Sequence, residues 1–286
     1  MNFTRRLKGV LRLTRIEHSI MLVVAVLAGE LLTLGKLPSI LILAFSLITP
    51  IFISMASFAI NDYFDVEVDK LNKKKRPLVT GEITKNEAIY ITIICLFIGV
   101  FTSLFINIYA FLIAVIFGAL AMLYSYKLKE LPILGNLYIA FSMAIPFIYG
   151  DFVVKNTLVL SIYIVSIMIF LSGVAREIHG TIRDYEGDRK RNVVSLPHLI
   201  GIKPSAVIAA ILYLIAVLIS AYLFLNLNQF QNFAYLFLIA ITDIILIYVS
   251  VGYIIKKSKK FYDFSRNISL VAMSIALVAI FITAIM

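Results

Sequence analysis

A chain of 286 residues in which 62% are apolar and 15% are charged is too apolar for a soluble globular protein, whose apolar share is usually about 45–50%. The mean hydropathy of +1.00 instead indicates a protein embedded in a membrane. The only cysteine, Cys95, excludes an intrachain disulfide.

Apolar segments long enough to cross a membrane follow one another along the whole chain. A hydrocarbon core of about 30 Å takes roughly 20 residues of helix. The segments predict an all-α polytopic membrane protein, with nine transmembrane helices in a bundle that forms a single domain over residues 1–286. The predicted spans are 18–35, 39–60, 87–106, 109–125, 132–150, 157–175, 204–225, 232–255 and 267–286.

Positive charge is distributed unevenly between the loops. Of the 26 lysines and arginines, only Lys36 and Lys155 fall on the side of the short loops. Because basic loops stay in the cytoplasm, we expect a multi-pass cell-membrane protein with its N-terminus, its active site and helical cap loops inside and its C-terminus outside. This bias, with attraction to anionic membrane lipids, accounts for the net charge of +10 without a nucleic-acid partner.

The main polar interruption follows the second span and contains Asn61, Asp62, Asp65 and Asp69. In a helix these side chains share one face, because residues three or four positions apart are neighbours. Like charges at this spacing repel each other. A divalent cation such as Mg²⁺ would relieve the repulsion, since it binds carboxylate oxygens and shares its other sites with water and substrate phosphates. The alternative interpretation is an acidic loop in water, because charge runs are common in loops.

A second acidic cluster follows the sixth span. Glu177, Asp184 and Asp188 again share one face if the segment is helical, with His179 between them as either a proton acceptor or a structural group. Both clusters stand beside lysines and arginines at one membrane surface. Carboxylates that hold Mg²⁺ and cations that neutralise phosphate oxygens suit a polyphosphate ligand. The same groups would stabilise a diphosphate leaving group as its C–O bond breaks.

These residues resemble the two aspartate motifs of the UbiA-type intramembrane prenyltransferases, and the resemblance covers essentially the whole chain. The first motif is Asn61-Asp62-x-x-Asp65-x-x-x-Asp69 with Lys75-Arg76-Pro77 beyond it, and the second is Asp184-x-x-x-Asp188. In addition, Tyr124-Ser125-Tyr126-Lys127-Leu128-Lys129 is similar to the family's Tyr-x-x-Lys segment, and Leu134-Gly135-Asn136 is similar to the Leu-Gly-Asn that commonly follows.

The resemblance implies Mg²⁺-dependent transfer of a prenyl group from its diphosphate to an acceptor, through ionisation to an allylic carbocation. An aromatic face can stabilise a passing cation, which gives Tyr124 a physical role. Residue by residue, the resemblance implies metal binding by Asn61, Asp65, Asp184 and Asp188, diphosphate binding by Arg76, Lys127 and Arg183, and catalytic roles for Tyr124 and for Asp62 and Asp69, which bind metal or orient basic partners.

The sequence leaves the identity of the acceptor substrate open within this family. Leu11-Arg12-Leu13-Thr14-Arg15 and Gly29-Glu30-Leu31-Leu32 look most like archaeal members that prenylate geranylgeranylglyceryl phosphate in ether-lipid synthesis. An aromatic acceptor of a quinone or haem pathway is the alternative. At Arg15-Ile16-Glu17-His18 relatives often have Arg-Pro-x-Asn, so no acceptor or metal role is transferred to that asparagine position.

Two functions from other classes also use acidic clusters. A divalent cation transporter needs ionisable residues along a path through the bundle, and only Glu30 and Asp243 are available deep in the spans. We expect both to pair with polar groups of neighbouring helices. A CDP-alcohol phosphotransferase also has paired aspartate motifs, but its Asp-Gly and Ala-Arg spacing is missing from 61–77.

Overall fold

In the computed structural model the chain is described at residues 3–190, 193–256 and 258–286, and every regular element within these ranges is a helix. Side chains of the first range are described from Arg6 to Arg189. Nine helical segments in the described ranges are long and apolar enough to cross a membrane, which confirms the predicted all-α membrane architecture. The helices are α1 (Phe3–Thr14), α2 (Ser19–Leu34), α3 (Ile40–Leu71), α4 (Lys85–Ser103), α5 (Ile108–Tyr126), α6 (Leu134–Val154), α7 (Leu160–Lys190), α8 (Leu196–Ile200), α9 (Ile202–Asn226), α10 (Phe233–Ile255) and α11 (Lys259–Ile285).

The long helices form a closed ring. Each packs against the next along the chain, from α2 through α7 and on through α9, α10 and α11, and α11 returns to contact α2. Helix α2 also packs against α6 across the ring. The α2–α6 pair therefore lies between α3, α4 and α5 on one side and α7, α9, α10 and α11 on the other.

Two glycines set the close approach of α2 and α6. A Cβ atom on Gly150 would lie 2.3 Å from the carbonyl oxygen of Val26, and one on Gly29 would lie 2.4 Å from that of Phe147. Lipid tails are as apolar as leucine, so helices in a membrane associate through close packing and polar contacts, which small residues permit. The backbones of α2 and α6 touch here because neither glycine has a side chain.

Helices α3 and α7 continue far beyond their apolar portions. The 32 residues of α3 span about 48 Å at 1.5 Å per residue, against a hydrocarbon core of about 30 Å. The predicted spans 39–60 and 157–175 end where the apolar sequence ends, whereas the helices run on through both acidic clusters to Leu71 and Lys190. The interpretation of Asn61 to Asp69 as one helical face is confirmed, and the alternative of an acidic loop is wrong.

Capping side chains fix the starts of α4 and α5. Asn107 Oδ1 accepts a hydrogen bond from the Ala110 N–H at 2.9 Å, and its Nδ2 donates to the Phe152 carbonyl at 2.7 Å. One residue therefore begins α5 and ties it to the end of α6. At α4, Thr84 and Glu87 form a capping box, which satisfies two N–H groups that a helix start leaves free.

The polar end of the bundle is covered by α1 and by the turns between α3 and α4. Leu13 of α1 is fully buried in a cluster with Val66 and Leu78, and Arg12 donates to both carboxylate oxygens of Glu82 at 2.7 and 2.8 Å. The cap is thus partly helical, and its cytoplasmic location stays a prediction. Of the basic residues behind that prediction, Arg191 and Lys257 lie outside the described residues.

We expect Gly150→Ala to lower the thermal stability of the detergent-solubilised protein, because the new methyl group meets the Val26 carbonyl and forces α2 and α6 apart. Overpacking of this kind costs about 1–3 kcal/mol. The matched control is Gly180→Ala on α7, where no neighbouring atom of the described residues lies within 4 Å of the added Cβ. Because alanine has a higher helix propensity than glycine, we expect the midpoint of thermal unfolding of this control variant to be unchanged or slightly higher. Thermal unfolding followed by circular dichroism measures both, and equal shifts would contradict the α2–α6 contact.

Candidate functional site

The centre of the first motif is Asp65, on the polar end of α3. Lys129 Nζ lies 2.5 Å from Asp65 Oδ1, and Asn61 Nδ2 donates to Asp65 Oδ2 at 3.0 Å. The side chain of Asp65 is 29% exposed and that of Lys129 is 21% exposed. The carboxylate is therefore held by a cation and an amide but can still be reached from water.

Asp62 lies one turn earlier and is almost completely buried. The Arg15 guanidinium donates to its Oδ1 and lies over the Phe58 ring, 4.7 Å from the centroid. Arg15 has a left-handed backbone conformation, with φ 46°, between α1 and α2. This conformation costs an L-residue roughly 1–2 kcal/mol. The ion pair and the ring contact stabilise it and fix the guanidinium on the first motif.

Asp69 lies one turn beyond Asp65 and forms ion pairs with the basic run that follows α3. The chain reverses after Leu71, and Lys74 Nζ returns to within 2.8 Å of Asp69 Oδ1. Arg76 Nε lies 3.9 Å from the other carboxylate oxygen. The cations of the Lys75-Arg76-Pro77 region are thus brought back against the first motif.

The second motif lies on the polar end of α7 and lines a cavity of about 260 Å³, which we call the second-motif cavity. Arg183 donates two parallel hydrogen bonds to the Asp184 carboxylate, at 2.8 and 2.5 Å. Asp188 is buried in the wall of the same cavity. Glu177, which the sequence placed on this face, also lines the cavity and accepts from Arg176 at 3.0 Å.

A separate cavity, of about 370 Å³, begins at the first motif, and we call it the first-motif cavity. Asn61 and Tyr124 line one end, and Thr49 and Tyr149 line the other. Because Asn61 and Thr49 are twelve positions apart on α3, the cavity extends about 18 Å along that helix. The Tyr124 ring stacks on Tyr138, with 4.7 Å between centroids, so two aromatic faces stand near the polar mouth.

A third cavity, of about 390 Å³, lies on the other side of the α2–α6 pair among α7, α9, α10 and α11, and we call it the apolar cavity. Asp243 in its wall accepts a hydrogen bond from Ser220 of α9 at 2.7 Å, which confirms the expected pairing. Glu30 is fully buried near Ser46 of α3, but neither of its carboxylate oxygens has a hydrogen-bond partner within the described part of the chain, so the pairing expected for Glu30 is not confirmed. The apolar and first-motif cavities share wall residues, namely Leu22, Ser54, Phe58, Ser142 and Pro146.

The predicted site residues therefore fall into two groups. Asn61, Asp65 and Tyr124 come together at the first motif, as do Asp62, Asp69 and Arg76, whereas Arg183, Asp184 and Asp188 line a cavity of their own. Tyr124 stands within electrostatic reach of both Asp65 and Glu177. Among the described residues, Tyr124 thus lies near a carboxylate of each group.

The structure places Lys129, and not the predicted Lys127, beside the first motif. Helix α5 ends at Tyr126, and a 3-10 turn over Leu128–Glu130 then directs Lys129 to Asp65. Lys127 instead bonds Glu130 at 3.0 Å on an exposed surface, and this hydrogen bond raises the pKa of Lys127. A diphosphate role for Lys127 stays a prediction, while Lys129 is the lysine that faces the first motif.

Sequence reasoning also left Arg15, Arg176 and Arg266 out of the site. Arg15 reaches Asp62 across 47 positions, and Arg266 enters the second-motif cavity from α11. No spacing rule connects positions so far apart. Arg176 does have a local signal, because it adjoins Glu177 at the start of the second acidic cluster.

The arrangement of the carboxylates suits a metal ion that arrives together with a phosphate-bearing substrate. Among the residues that the structure describes, no three His, Cys, Asp or Glu side chains lie close enough to form a metal centre by themselves. Mg²⁺ is usually held by one or two carboxylates together with substrate phosphates. Asp65 and Asp184 are partly exposed carboxylates, each already beside a cation, and so fit that mode of binding.

The chain is similar to known proteins over nearly its whole length. The model of the UbiA prenyltransferase family matches residues 22–283. The digeranylgeranylglyceryl phosphate synthase of Archaeoglobus fulgidus is 36% identical over 279 residues, which cover 97% of this chain and 95% of the relative.

Solved structures share the fold. A structure from work on digeranylgeranylglyceryl phosphate synthase in membranes has a TM-score of 0.83 and 33% identity, and covers 98% of this chain and 99% of its own. A UbiA homolog from Archaeoglobus fulgidus bound to GPP and Mg²⁺ has a TM-score of 0.65 at 22% identity, over 95% of this chain and 99% of its own. The chain belongs to the UbiA prenyltransferase family.

Proposed function

We propose that this protein transfers a geranylgeranyl group from geranylgeranyl diphosphate to the free hydroxyl of geranylgeranylglyceryl phosphate, with Mg²⁺ as cofactor. The first-motif cavity is the observation that carries the proposal. Arg15 and Asn61 line its mouth and are hydrogen-bonded to the carboxylates of Asp62 and Asp65, and about 18 Å of mainly apolar wall extends behind that mouth. A ligand with a charged head and a long apolar tail fits this shape, and the synthase relatives supply the choice of substrates.

The diphosphate would lie at the mouth and the isoprenoid tail along α3. Arg76 is held near the first motif by Asp69, and Lys129 by Asp65. Arginine and lysine form strong charge-assisted hydrogen bonds to phosphate oxygens. Arg183 would make the same contact from the second motif, and Lys127 is the further candidate named by the sequence.

Asn61, Asp65, Asp184 and Asp188 would hold Mg²⁺. When bound, the metal supplies positive charge to the oxygens of the leaving diphosphate. Asp62 and Asp69 have a different role in the proposal, because each is buried and paired with a cation. They orient Arg15 and the Lys74–Arg76 run towards the mouth.

The protein's own contribution to the chemistry is positioning and a dry, aromatic environment. As the bond between the prenyl carbon and the diphosphate oxygen breaks, the stacked rings of Tyr124 and Tyr138 face the allylic cation that forms. The acceptor hydroxyl oxygen then forms the new C–O bond, and its proton passes to the departing diphosphate. The apolar walls exclude water, which would otherwise capture the cation.

The whole chain, residues 1–286, would act as one membrane domain. The excess of lysine and arginine at the motif end supports a cytoplasmic site, with the N-terminus inside and the C-terminus outside. Water-soluble diphosphate is then released to the side where the motifs lie.

We expect Asp65→Asn and Asp188→Asn each to reduce geranylgeranyl transfer about 100-fold or more, since each removes a carboxylate that would hold Mg²⁺, and the metal's positive charge would stabilise the departing diphosphate. The matched control is Glu67→Gln. Glu67 is two positions from Asp65 but exposed, where it pairs with Lys70 and Lys85. The assay supplies labelled geranylgeranyl diphosphate and a panel of acceptors to purified protein, with Mg²⁺ or with chelator.

Product from geranylgeranylglyceryl phosphate that depends on Mg²⁺ and survives Glu67→Gln supports the proposal. Product with an aromatic acceptor alone would overturn the acceptor but keep prenyl transfer. Undiminished activity in Asp65→Asn would overturn the role of the first motif.

Lys129 and Lys127 can be separated by one pair of variants. We expect Lys129→Met to lower kcat/KM for the diphosphate about 10- to 100-fold, because a charge-assisted contact to a phosphate oxygen is lost. Lys127→Met should change it little, because exposed ion pairs contribute little. Steady-state kinetics with varied geranylgeranyl diphosphate measure both, and the reverse ranking would restore Lys127 as the diphosphate ligand.

A further inference from the structure

We propose that the closed end of the first-motif cavity sets the longest prenyl chain that the protein accepts, and that Tyr149 is the residue that fixes this limit. The inference rests on the proposed function, because it names what determines the length of the donor's tail.

Three helices give the first-motif cavity nearly the same length. Its lining residues run from the mouth to the closed end over positions 49–61 of α3, 113–124 of α5 and 138–149 of α6. Separations of eleven or twelve positions at 1.5 Å per residue place the two ends about 16–18 Å apart. The cavity therefore offers a defined length for the tail of a ligand whose head lies at the mouth.

This length matches that of a geranylgeranyl chain. An extended chain advances roughly 1.1–1.2 Å per bond, since the three bonds of one residue span about 3.3–3.6 Å. The main chain of a geranylgeranyl group has about 16 carbons, so it extends roughly 17 Å. A chain that is shorter or longer by one isoprene unit differs by roughly 4–5 Å, which is about three residues of helix.

Packed side chains close the end of the cavity at Tyr149. The residue is 4% exposed and belongs to a buried cluster with Val26 of α2, Ala110 of α5 and Val153 of α6. Ala110 and Val153 lie about one turn farther from the motifs than Ile113 and Tyr149, so they fill the space beyond the ring. Because protein cores are packed with few voids, a longer chain finds no free volume there.

The backbone on both sides of Tyr149 is held in place. A Cβ atom on the next residue, Gly150, would lie 2.3 Å from the Val26 carbonyl oxygen, so α6 touches α2 at this point. Asn107 donates to the Phe152 carbonyl at 2.7 Å and ties the same part of α6 to the start of α5. These contacts oppose a movement of the Tyr149 ring away from a longer chain.

Polar groups at the closed end add to the limit. The Tyr149 hydroxyl and both carboxylate oxygens of Glu30 have no hydrogen-bond partner within the described part of the chain. Glu30 lies near enough to Tyr149 to act on it electrostatically. Hydrocarbon packed against the Tyr149 hydroxyl makes no hydrogen bond to it, and an unpaired buried polar group is costly. A chain that extends to this point is therefore opposed by polarity as well as by shape.

The apolar cavity is the other route for a prenyl chain, because it shares wall residues with the first-motif cavity. The first-motif cavity is favoured because Asn61 and Tyr124, at the first motif, line it and do not line the apolar cavity. Substitutions placed in each cavity separate the two routes.

The test measures kcat/KM for farnesyl, geranylgeranyl and geranylfarnesyl diphosphate, with geranylgeranylglyceryl phosphate as acceptor. We expect Ala114→Leu to raise the ratio of farnesyl to geranylgeranyl transfer about 10-fold or more, because leucine fills the space of the last isoprene unit next to the closed end. Both substrates are measured in one preparation of each variant, so a loss of folded protein cancels in the ratio.

Tyr149→Ala should act in the opposite direction. We expect it to raise the ratio of geranylfarnesyl to geranylgeranyl transfer about 10-fold or more, because removal of the ring provides space for a further part of the chain. Ile113→Ala opens the same end of the cavity and is the second variant, should Tyr149→Ala fail to fold.

Ala276→Leu is the matched control, because it makes the same change in the wall of the apolar cavity and does not line the first-motif cavity. We expect its ratios to equal those of the wild type. A shift in Ala276→Leu with none in Ala114→Leu would place the chain in the apolar cavity and overturn the inference. Unchanged ratios in all variants would also overturn it.

Failure of the proposed function can be told apart with the same proteins. If the wild type forms no product, unlabelled prenyl diphosphates of the three lengths compete with labelled geranylgeranyl diphosphate for binding in the presence of Mg²⁺. A preference that moves from the geranylgeranyl to the farnesyl chain in Ala114→Leu still supports the length limit. An equal preference in variant and wild type, or no binding, overturns it.

Discussion

The arrangement of this protein depends on the contact between Gly29 and Gly150. In a membrane the hydrophobic effect does not press helices together, so backbone approach at small residues holds α2 against α6. The contact lies well below the motif end, where Leu22 and Ser142 of the same two helices line cavities instead. One tight contact thus leaves space on both sides of the pair, and the spaces share a wall next to the acidic motifs.

Electrostatic pairing makes the acidic motifs stable in this position. A buried carboxylate without a partner is very costly. Asp62, Asp65 and Asp69 each receive a cation from a different segment, namely the α1–α2 turn, the α5–α6 turn and the run after α3. The first motif therefore holds three connecting segments against the polar end of α3.

Much of the fold was predictable because it depends on local properties. Span positions follow from the length of apolar runs, and the shared face of Asn61 and Asp65 follows from the helical period, so both were confirmed. The end of α3 was not predictable in this way. The helix continues to Leu71 although the apolar run stops near residue 60, because α1 buries Val66 and cations pair with Asp62 and Asp69.

The amino-acid pattern alone determines the membrane architecture, the two acidic clusters and their common side. Only the tertiary structure decides which cations meet them. Lys129 rather than Lys127 reaches Asp65 because α5 ends at Tyr126, and Arg266 joins the second cluster because α11 packs beside α7 and α10. The physical reason is that apolar spans look alike on every side. Periodicity therefore places a residue on its own helix, whereas the neighbour that it meets is set by close packing between helices distant in the chain.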